Sequence, residues 1–409
     1  MSLDSVPRDD PGVRPGRLRV AVVTETWPPE VNGVAMSIAR VVDGLRRRGH
    51  DLQLVRPRQA HDDDGEGDRG LETVLTRGLP IPCYPSLRIG VPARRRLERS
   101  WSQHRPDVVH LATEGPLGRS ALQAADRLGL PATSDFRTNF HAYSDHYGAG
   151  WLRRPIAAYL RRFHNRTRLT MVPTEGLRRE LESHGFRGLE VVARGVDTDR
   201  FRPQRRDPAL RASWGAAAAD DLVVAYVGRL APEKNLETVV SAFAAIRATV
   251  PGARLLLVGD GPMREALRTA CPQAVLAGER RGDDLAAHYA SADLFLFPSL
   301  TETFGNVTVE AMASGLPVVA YDYAAAAQLI RDGVNGRTVP FGERAAFERA
   351  AVALAGDAPG RRLLGERACA SVAALGWDRI VARFEALLHE AARPETRLRP
   401  MAAAREADA

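Results

Sequence analysis

Lys234, in "GRLAPEKN", is the one lysine among the 57 lysines and arginines of a 409-residue chain. It follows Arg229 by five positions, and both stand where a hydrophobic run at 222–227 gives way to a helix. Two permanent cations at a strand end, beside a helix N-terminus, suit an anion, because unpaired backbone N–H groups and the helix dipole act together there. A lone lysine in an arginine-rich chain suggests a pocket that takes a compact ammonium rather than a planar fork, as a diphosphate oxygen would require. The plain alternative is a solvated surface pair. Further on, "PSLTETFGNVTVEAMASG" puts Glu302 in the loop after a run at 294–297, and Glu310 eight positions later in a helix opened by Gly305 and Asn306. A carboxylate flanked by free backbone donors suits the hydroxyls of a sugar, and a second carboxylate those of a ribose. Near the N-terminus, "TETWPPEVNGVAMS" follows another strand, and Gly33 opens a helix there. Backbone can approach a phosphate at such a glycine, although a tight strand-to-helix turn explains it equally well.

Each of these residues must be delivered by a strand. In the first half, hydrophobic runs at 18–23, 52–55, 107–111, 131–136, 169–172 and 189–192 read as buried strands. Residues 36–48 read as a helix with Ile38, Val41, Val42 and Leu45 on one face. Over 200–220 the pattern lapses, and Pro203, Pro208 and a charge cluster predict a linker. Runs at 222–227, 254–258, 274–276, 294–297 and 317–320 then alternate with helices such as 236–249 and 307–314. Alternation of this kind predicts an α/β protein with parallel sheets covered on both faces. Two doubly wound domains are expected, at 17–205 and 206–375, followed by a closing helix within 376–392. Residues 1–16 and 393–409 are polar and are expected to be disordered tails. Ligands of open α/β sheets lie beyond the carboxyl ends of the strands, so two such domains would share a site across a cleft.

Composition narrows the function classes. With 44% hydrophobic and 26% charged residues the chain is globular. No apolar run reaches the roughly 20 residues of a membrane span, and residues 1–17 lack the apolar core of a secretion signal. Cys83, Cys271 and Cys369 are too few and too scattered for a disulfide framework or a zinc site, which points to a reducing cytoplasm. The net charge of +7 admits an anionic partner, or simply reflects arginine-rich coding. A nucleic-acid partner is not expected, since no aromatic–basic platform accompanies the charge. Dinucleotide-dependent redox chemistry fails at "VGDGPMRE", where Arg264 occupies the place of the third glycine. Asp197 and Asp199 form "DTD", a pattern that holds manganese elsewhere, yet they lie beside the linker, and no metal site is expected. "DDDGEGD" at 62–68 reads as a solvated loop.

The stretch "WLRRPIAAYLRRFHNRTR" has six arginines and no acid. On a helix, Leu152, Ile156, Leu160 and Phe163 share one side and Arg154, Arg161 and Arg168 another. Such a helix either lies on anionic lipid or packs its apolar side inward under a basic face. "ARRRLER" at 93–99 adds a second basic patch to the same domain.

Several stretches carry a family resemblance: "PPEVNGVAMSIARVVDGLRRRGHDLQLVRP", "SDFRTNFHAYSDHYG", "RGVDTDRFRP", "VGRLAPEKNLETVVSAF", "LLLVGDGPMREALR" and "SADLFLFPSLTETFGNVTVEAMASGLPVVA". Over roughly residues 17–390 the chain resembles the retaining glycosyltransferases of family 4, and within them the bacterial GDP-mannose-dependent α-mannosyltransferases and related glycolipid glycosyltransferases. That resemblance implies the GT-B fold, with Rossmann-like acceptor and donor domains and a final helix crossing back to the first. It implies that Arg229 and Lys234 bind the donor diphosphate, that Glu302 and the backbone of Phe304, Gly305 and Asn306 hold the sugar, and that Glu310 binds the ribose. Gly33 would close over the phosphate, and the base would lie near Leu276, Ala277 and Gly278. The implied chemistry moves a hexose to a lipid or glycan acceptor without a cofactor or metal. GDP-mannose is the expected donor, and a UDP-sugar is the alternative. The implied location is cytoplasmic, peripheral on the inner face of the membrane. One position departs from the family. Many relatives have histidine where Arg137 stands, and arginine cannot act as a base at working pH. Arg137 would instead hold a phosphate or an acidic acceptor, with His141 taking over hydrogen bonding or lying idle in a surface loop.

Overall fold

The computed structural model describes residues 16–30, 33–59, 71–81, 84–137, 153–218 and 220–394. Its first half supplies β1 (Arg19–Val23), β2 (Asp51–Pro57), β3 (Glu72–Thr76), β4 (Gly78–Ile81), β5 (Tyr84–Gly90), β6 (Val108–Leu111), β7 (Ala132–Asp135), β8 (Leu169–Val172) and β9 (Leu189–Val191). The second half supplies β10 (Val223–Val227), β11 (Arg254–Val258), β12 (Val275–Gly278), β13 (Leu294–Phe297), β14 (Val318–Tyr321) and β15 (Arg337–Val339). Seven strands form one parallel sheet in the order β3-β2-β1-β6-β7-β8-β9, with β4 and β5 apart as an antiparallel hairpin. The second sheet, β12-β11-β10-β13-β14-β15, is also parallel. Its order reverses between β10 and β13, as in a dinucleotide-binding sheet, and the first sheet reverses likewise between β1 and β6.

Strand alternation decides which helices cover which face. Val20 and Val22 of β1 and Leu52 and Leu54 of β2 pack with the helices Gly33–Arg47 and Trp377–Ala392. Ala21 and Val23, one residue out of step, pack with Leu97, Trp101, Leu117 and Ala121 of the helices Arg94–Gln103 and Pro116–Leu128. In the second sheet every residue of β10, β13 and β14 is buried, which is why those strands read as unbroken hydrophobic runs.

The structure departs from the sequence reading at the sheet edges and at the linker. β3 is half-exposed and β15 has three residues, so neither presents a hydrophobic run. The stretch at 200–220 is not a bare linker. Its helix Pro208–Ser213 is capped by Asp207, Trp214 is buried in the second core, and Arg211 Nη1 lies 2.9 Å from Asp293 Oδ2. Val196 and Phe201 already belong to that core, so the chain joins the second domain soon after β9.

The closing helix Trp377–Ala392 returns to the first domain. Ile380, Val381, Phe384, Leu387 and Leu388 pack on the helix Gly33–Arg47. Gly44 permits the close approach, since a Cβ there would lie 2.5 Å from Val381 Cγ2. The seam carries a buried polar lock. Glu385 accepts from Arg48 Nε at 2.6 Å and from His50 Nε2 at 2.7 Å, while His50 Nδ1 accepts the Leu18 N–H at 3.1 Å.

Candidate active site

Loops that follow the carboxyl ends of the two sheets touch one another, and the second sheet contributes the denser polar set. β10 runs into Gly228 at φ 149°. A Cβ on Gly259 would sit 2.0 Å from the Gly228 carbonyl oxygen, and one on Gly261 2.4 Å from that of Leu230, so only glycines let these loops pack. The buried Tyr226 hydroxyl donates to the Arg229 carbonyl at 3.1 Å and fixes the turn. Arg229 itself is 46% exposed and lies 3.6 Å from Glu233.

Lys234 ends the short turn Pro232–Lys234, and Asn235, at φ 54°, swings the chain into the helix Leu236–Thr249. The Lys234 side chain is 18% exposed, and its ammonium donates to Glu302 Oε1 at 2.5 Å and to the Thr301 carbonyl at 3.3 Å. Glu302 also accepts from Ser299 Oγ at 2.9 Å, and its carbonyl accepts from the Tyr323 hydroxyl at 2.9 Å. Gly305, at φ 94°, turns the chain into the helix Asn306–Ala313. Glu310 points from that helix toward Tyr289, whose hydroxyl donates to it at 3.0 Å. Burial pushes the Glu310 carboxyl up to about 7, against which the tyrosine bond pulls it down. Leu276 and Gly278 lie on half-buried β12, and the Gly278 carbonyl accepts the Gly259 N–H at 2.9 Å.

Among the described residues the first domain reaches this set at Gly33 and at Arg137. Gly33 opens the helix Gly33–Arg47, and a Cβ on it would lie 3.6 Å from Asn306 Nδ2. Thr303 Oγ1, beside Glu302, donates to the Arg137 carbonyl at 3.2 Å.

Residues 221–357 match the family described as Glycosyl transferases group 1, and residues 31–200 match Glycosyltransferase Family 4. A "GDP-mannose-dependent alpha-mannosyltransferase" of Mycolicibacterium smegmatis is 37% identical over 379 residues, spanning 91% of this chain and 98% of the relative. A relative of the same description from Corynebacterium glutamicum is 36% identical over 325 residues, 79% of this chain and 76% of its own length. The chain belongs to the family 4 glycosyltransferases. Its fold is GT-B, as in Anabaena Alr3699/HepE in complex with UDP-glucose, which superposes with a TM-score of 0.72 at 19% identity over 91% of this chain and all of that one.

In this glycosyltransferase the Arg137 side chain is buried and paired within the first domain. It is 4% exposed; Nε and Nη2 donate to Asp135 and Nη1 to Ser37 Oγ, which in turn donates to the Gly33 carbonyl at 2.6 Å. Burial alone would raise the Asp135 carboxyl, but the Arg137 and Arg194 guanidiniums and His110 hold it well below the usual carboxylate range. His141 lies outside the described residues. The carboxylate of Asp197 is engaged by Arg40 at 3.0 Å and by Arg200 at 3.7 Å.

Among the described residues one group, His50, Glu385 and His389, brings metal-type donors within 4.8 Å of one another. Its chemistry does not fit a cation. His50 accepts at Nδ1, so Nε2 must carry the proton that it gives to Glu385, and Arg48 already supplies the positive charge.

Sequence reasoning singled out the charged residues of the enzyme's second domain but not what holds them. Ser299 and Tyr323 fix Glu302, and Tyr289 faces Glu310. Of these only Ser299 stood in a quoted motif. For Arg137 the clue was present: Asp135 is two positions earlier, on the same side of an extended chain.

Proposed function

We propose that the enzyme transfers mannose from GDP-mannose, with retention of configuration and without a metal ion, to a hydroxyl of a lipid or glycan acceptor. Identity of 37% across 98% of the M. smegmatis GDP-mannose-dependent relative supports the donor. The observation that carries the site is the direct contact of Lys234 with Glu302, which joins the loop after β10 to the loop after β13 on either side of the switch point.

On this proposal Arg229 and Lys234 bind the diphosphate. Glu302 and the backbone of Phe304, Gly305 and Asn306 hold the mannose, Glu310 takes the ribose hydroxyls, and the base lies against Leu276 and Gly278. Gly33 closes from the first domain. The acceptor oxygen bonds to the anomeric carbon as the bond from that carbon to the diphosphate oxygen breaks on the same face. The bonding pair leaves with the diphosphate, whose oxygen takes the acceptor's proton. Catalysis then rests on fixed charge meeting the charge that grows on the leaving group. Arg229, Lys234 and the N-terminal backbone groups of the helix Asn306–Ala313 supply it.

A thermal-shift panel of GDP, UDP and ADP with their sugars tests the donor, since a ligand of the native state raises the melting temperature by mass action. The largest shift is expected with GDP and GDP-mannose, and a larger one with UDP-glucose would overturn the donor assignment. Turnover is expected to survive EDTA; its loss on chelation and return with manganese would overturn the metal-free step.

For the acceptor side we propose peripheral attachment to an anionic membrane at its cytoplasmic face. No helix among the described residues is long and apolar enough to cross a membrane. The helix Arg153–His164 packs Leu160 and Phe163 inward and leaves Arg154, Arg161 and Arg162 exposed.

A further inference from the structure

Two residues of one loop of the second domain touch the first domain. Thr303 Oγ1 donates to the Arg137 carbonyl at 3.2 Å, and a Cβ on Gly33 would lie 3.6 Å from Asn306 Nδ2. In the first domain these two points belong to different elements, since Gly33 opens the helix Gly33–Arg47 and Arg137 follows β7. Side chains join them. Arg137 Nη1 donates to Ser37 Oγ, which donates to the Gly33 carbonyl at 2.6 Å. A serine hydroxyl has one proton to give and lone pairs to accept with, so both bonds hold at once. Ser37 is 2% exposed and the Arg137 side chain 4%, so solvent does not compete for either bond.

The relay is stiff. Arg137 gives Nε and Nη2 to Asp135, the buried last residue of β7. Against the cost of burial, the Arg137 and Arg194 guanidiniums and His110 keep that carboxylate ionised. The Arg137 side chain is thereby held by β7 on one side and by the helix Gly33–Arg47 on the other. What it positions is polar. The helices Gly33–Arg47 and Asn306–Ala313 both start without an acidic residue in the first turn, so each keeps a positively polarised end. Two such ends side by side repel one another, and a hydrogen bond beside them offsets part of that cost. Thr303 supplies it.

We propose that Ser37 and Thr303 are positioning residues for the transfer: through Arg137 they form one relay that sets the Gly33 turn against the start of the helix Asn306–Ala313, so that the two polarised helix ends face the donor diphosphate together. The proposal rests on the donor reading of this site and adds to it two residues which that reading leaves out. Thr303 works from the second domain and Ser37 from the first, so the relay fails when either hydroxyl is lost. Without the Thr303 hydroxyl, Lys234 still meets Glu302 and Tyr289 still meets Glu310, and the second domain keeps its hold on the donor. The Gly33 turn is released from that assembly. The loss therefore falls on kcat and on the first domain's response to donor.

The test uses the full chain with Thr303→Val, which keeps the shape and drops the hydroxyl, Thr303→Ser, which restores it, and Ser37→Ala. Amide hydrogen exchange is measured with and without saturating GDP-mannose, and in parallel with UDP-glucose, so that the relay is read with whichever nucleotide sugar the second domain takes. In wild type that nucleotide sugar should slow exchange at residues 228–236 and 302–310 and also at residues 33–37. Thr303→Val and Ser37→Ala should keep the first effect and lose the second, and Thr303→Ser should regain it. In turnover, read as nucleoside diphosphate released, Thr303→Val should lower kcat roughly 2- to 10-fold, the worth of one hydrogen bond, and hold the donor KM within about twofold. Ser37→Ala/Thr303→Val should lose little more than Ser37→Ala alone, since both cut one relay. Exchange at residues 33–37 slowed equally in Thr303→Val and wild type overturns the proposal, as does a wild type protected in the second domain alone. A Thr303→Val defect confined to KM makes Thr303 a donor ligand and overturns it too. Protection by UDP-glucose and not by GDP-mannose overturns the donor assignment, and the relay is then judged on UDP-glucose; protection by neither removes both.

Discussion

Lys234 and Glu302 meet across 68 positions of sequence, ammonium against carboxylate, with 18% and 16% of their side chains exposed. The cation assigned to the diphosphate is thus held in place by the carboxylate assigned to the sugar. Under the proposed assignment, donor binding would exchange part of this contact for phosphate and hydroxyl contacts, while Ser299 holds Glu302 at 2.9 Å. Lys234→Ala should cost about 1.5–3 kcal/mol of transition-state stabilisation, roughly 10- to 100-fold in kcat. Its far-UV spectrum should stay native. Because the two residues touch, Lys234→Ala and Glu302→Gln should combine non-additively in kcat/KM. Additive losses would mean that the two serve separate sites.

Glu310 predicts a pH dependence. Its carboxyl is raised by burial from 4.5 to about 7 in the native chain. Below the lower value both states are protonated and no penalty exists. As pH rises from about 4.5 to 7 the unfolded chain ionises first, so native stability falls; above that range the penalty is constant. A shift of this size corresponds to about 3 kcal/mol. Glu310→Gln cannot ionise, so its melting temperature should fall less than that of wild type between pH 5 and 7. If Glu310 takes the ribose hydroxyls as proposed, the same variant should raise the KM for donor about tenfold and change kcat less, because such a contact is made in ground and transition state alike.

What the sequence disclosed follows from how each feature is encoded. Central strands buried on both faces are written as unbroken apolar runs, so β1, β10 and β13 and the polar residues at their ends could be read directly. Edge strands are not. β3 is half-exposed and β15 spans three residues, and both pass for loop. Linker composition misled for a different reason. "FRPQRRDPALRASWG" is rich in proline and arginine, yet Phe201 and Trp214 bury their rings and Arg206 and Arg211 both reach Asp293. Contacts between distant residues, such as Tyr323 with Glu302 or Arg194 with Asp135, carry no local signal at all.

The closing helix depends on Glu385, whose carboxylate is buried between Arg48 and His50. Glu385→Ala leaves Arg48 and His50 without their acceptor and opens a cavity beside Phe384 and Leu388. Removing one partner of a buried pair typically costs 3–5 kcal/mol; Arg48 is 40% exposed, so about 3 kcal/mol is expected here. Urea unfolding should show the loss, and Glu385→Gln should recover part of it by accepting from His50. An unchanged midpoint for Glu385→Ala would mean that apolar packing on Val41, Val42 and Leu45 alone holds the helix.

Membrane attachment can be tested without touching the cleft. Arg154, Arg161 and Arg162 are exposed on the helix Arg153–His164, whereas Arg168 is not available, since its guanidinium donates to the carbonyls of Ala391 at 2.7 Å and Arg393 at 2.6 Å. A basic side chain near an anionic surface contributes about 1 kcal/mol. Three of them would change binding by roughly two powers of ten, since each 1.4 kcal/mol is a factor of ten. Wild type should therefore sediment with vesicles containing phosphatidylglycerol and stay in solution with pure phosphatidylcholine. Arg154→Ser/Arg161→Ser/Arg162→Ser should lose the difference and keep its melting temperature, because Leu160 and Phe163, which anchor the helix, are untouched. Added salt should release wild type progressively, as screening demands. Sedimentation of the triple variant equal to wild type would move the contact elsewhere, with Arg95, Arg96 and Arg99 on the helix Arg94–Gln103 as the next basic face to substitute.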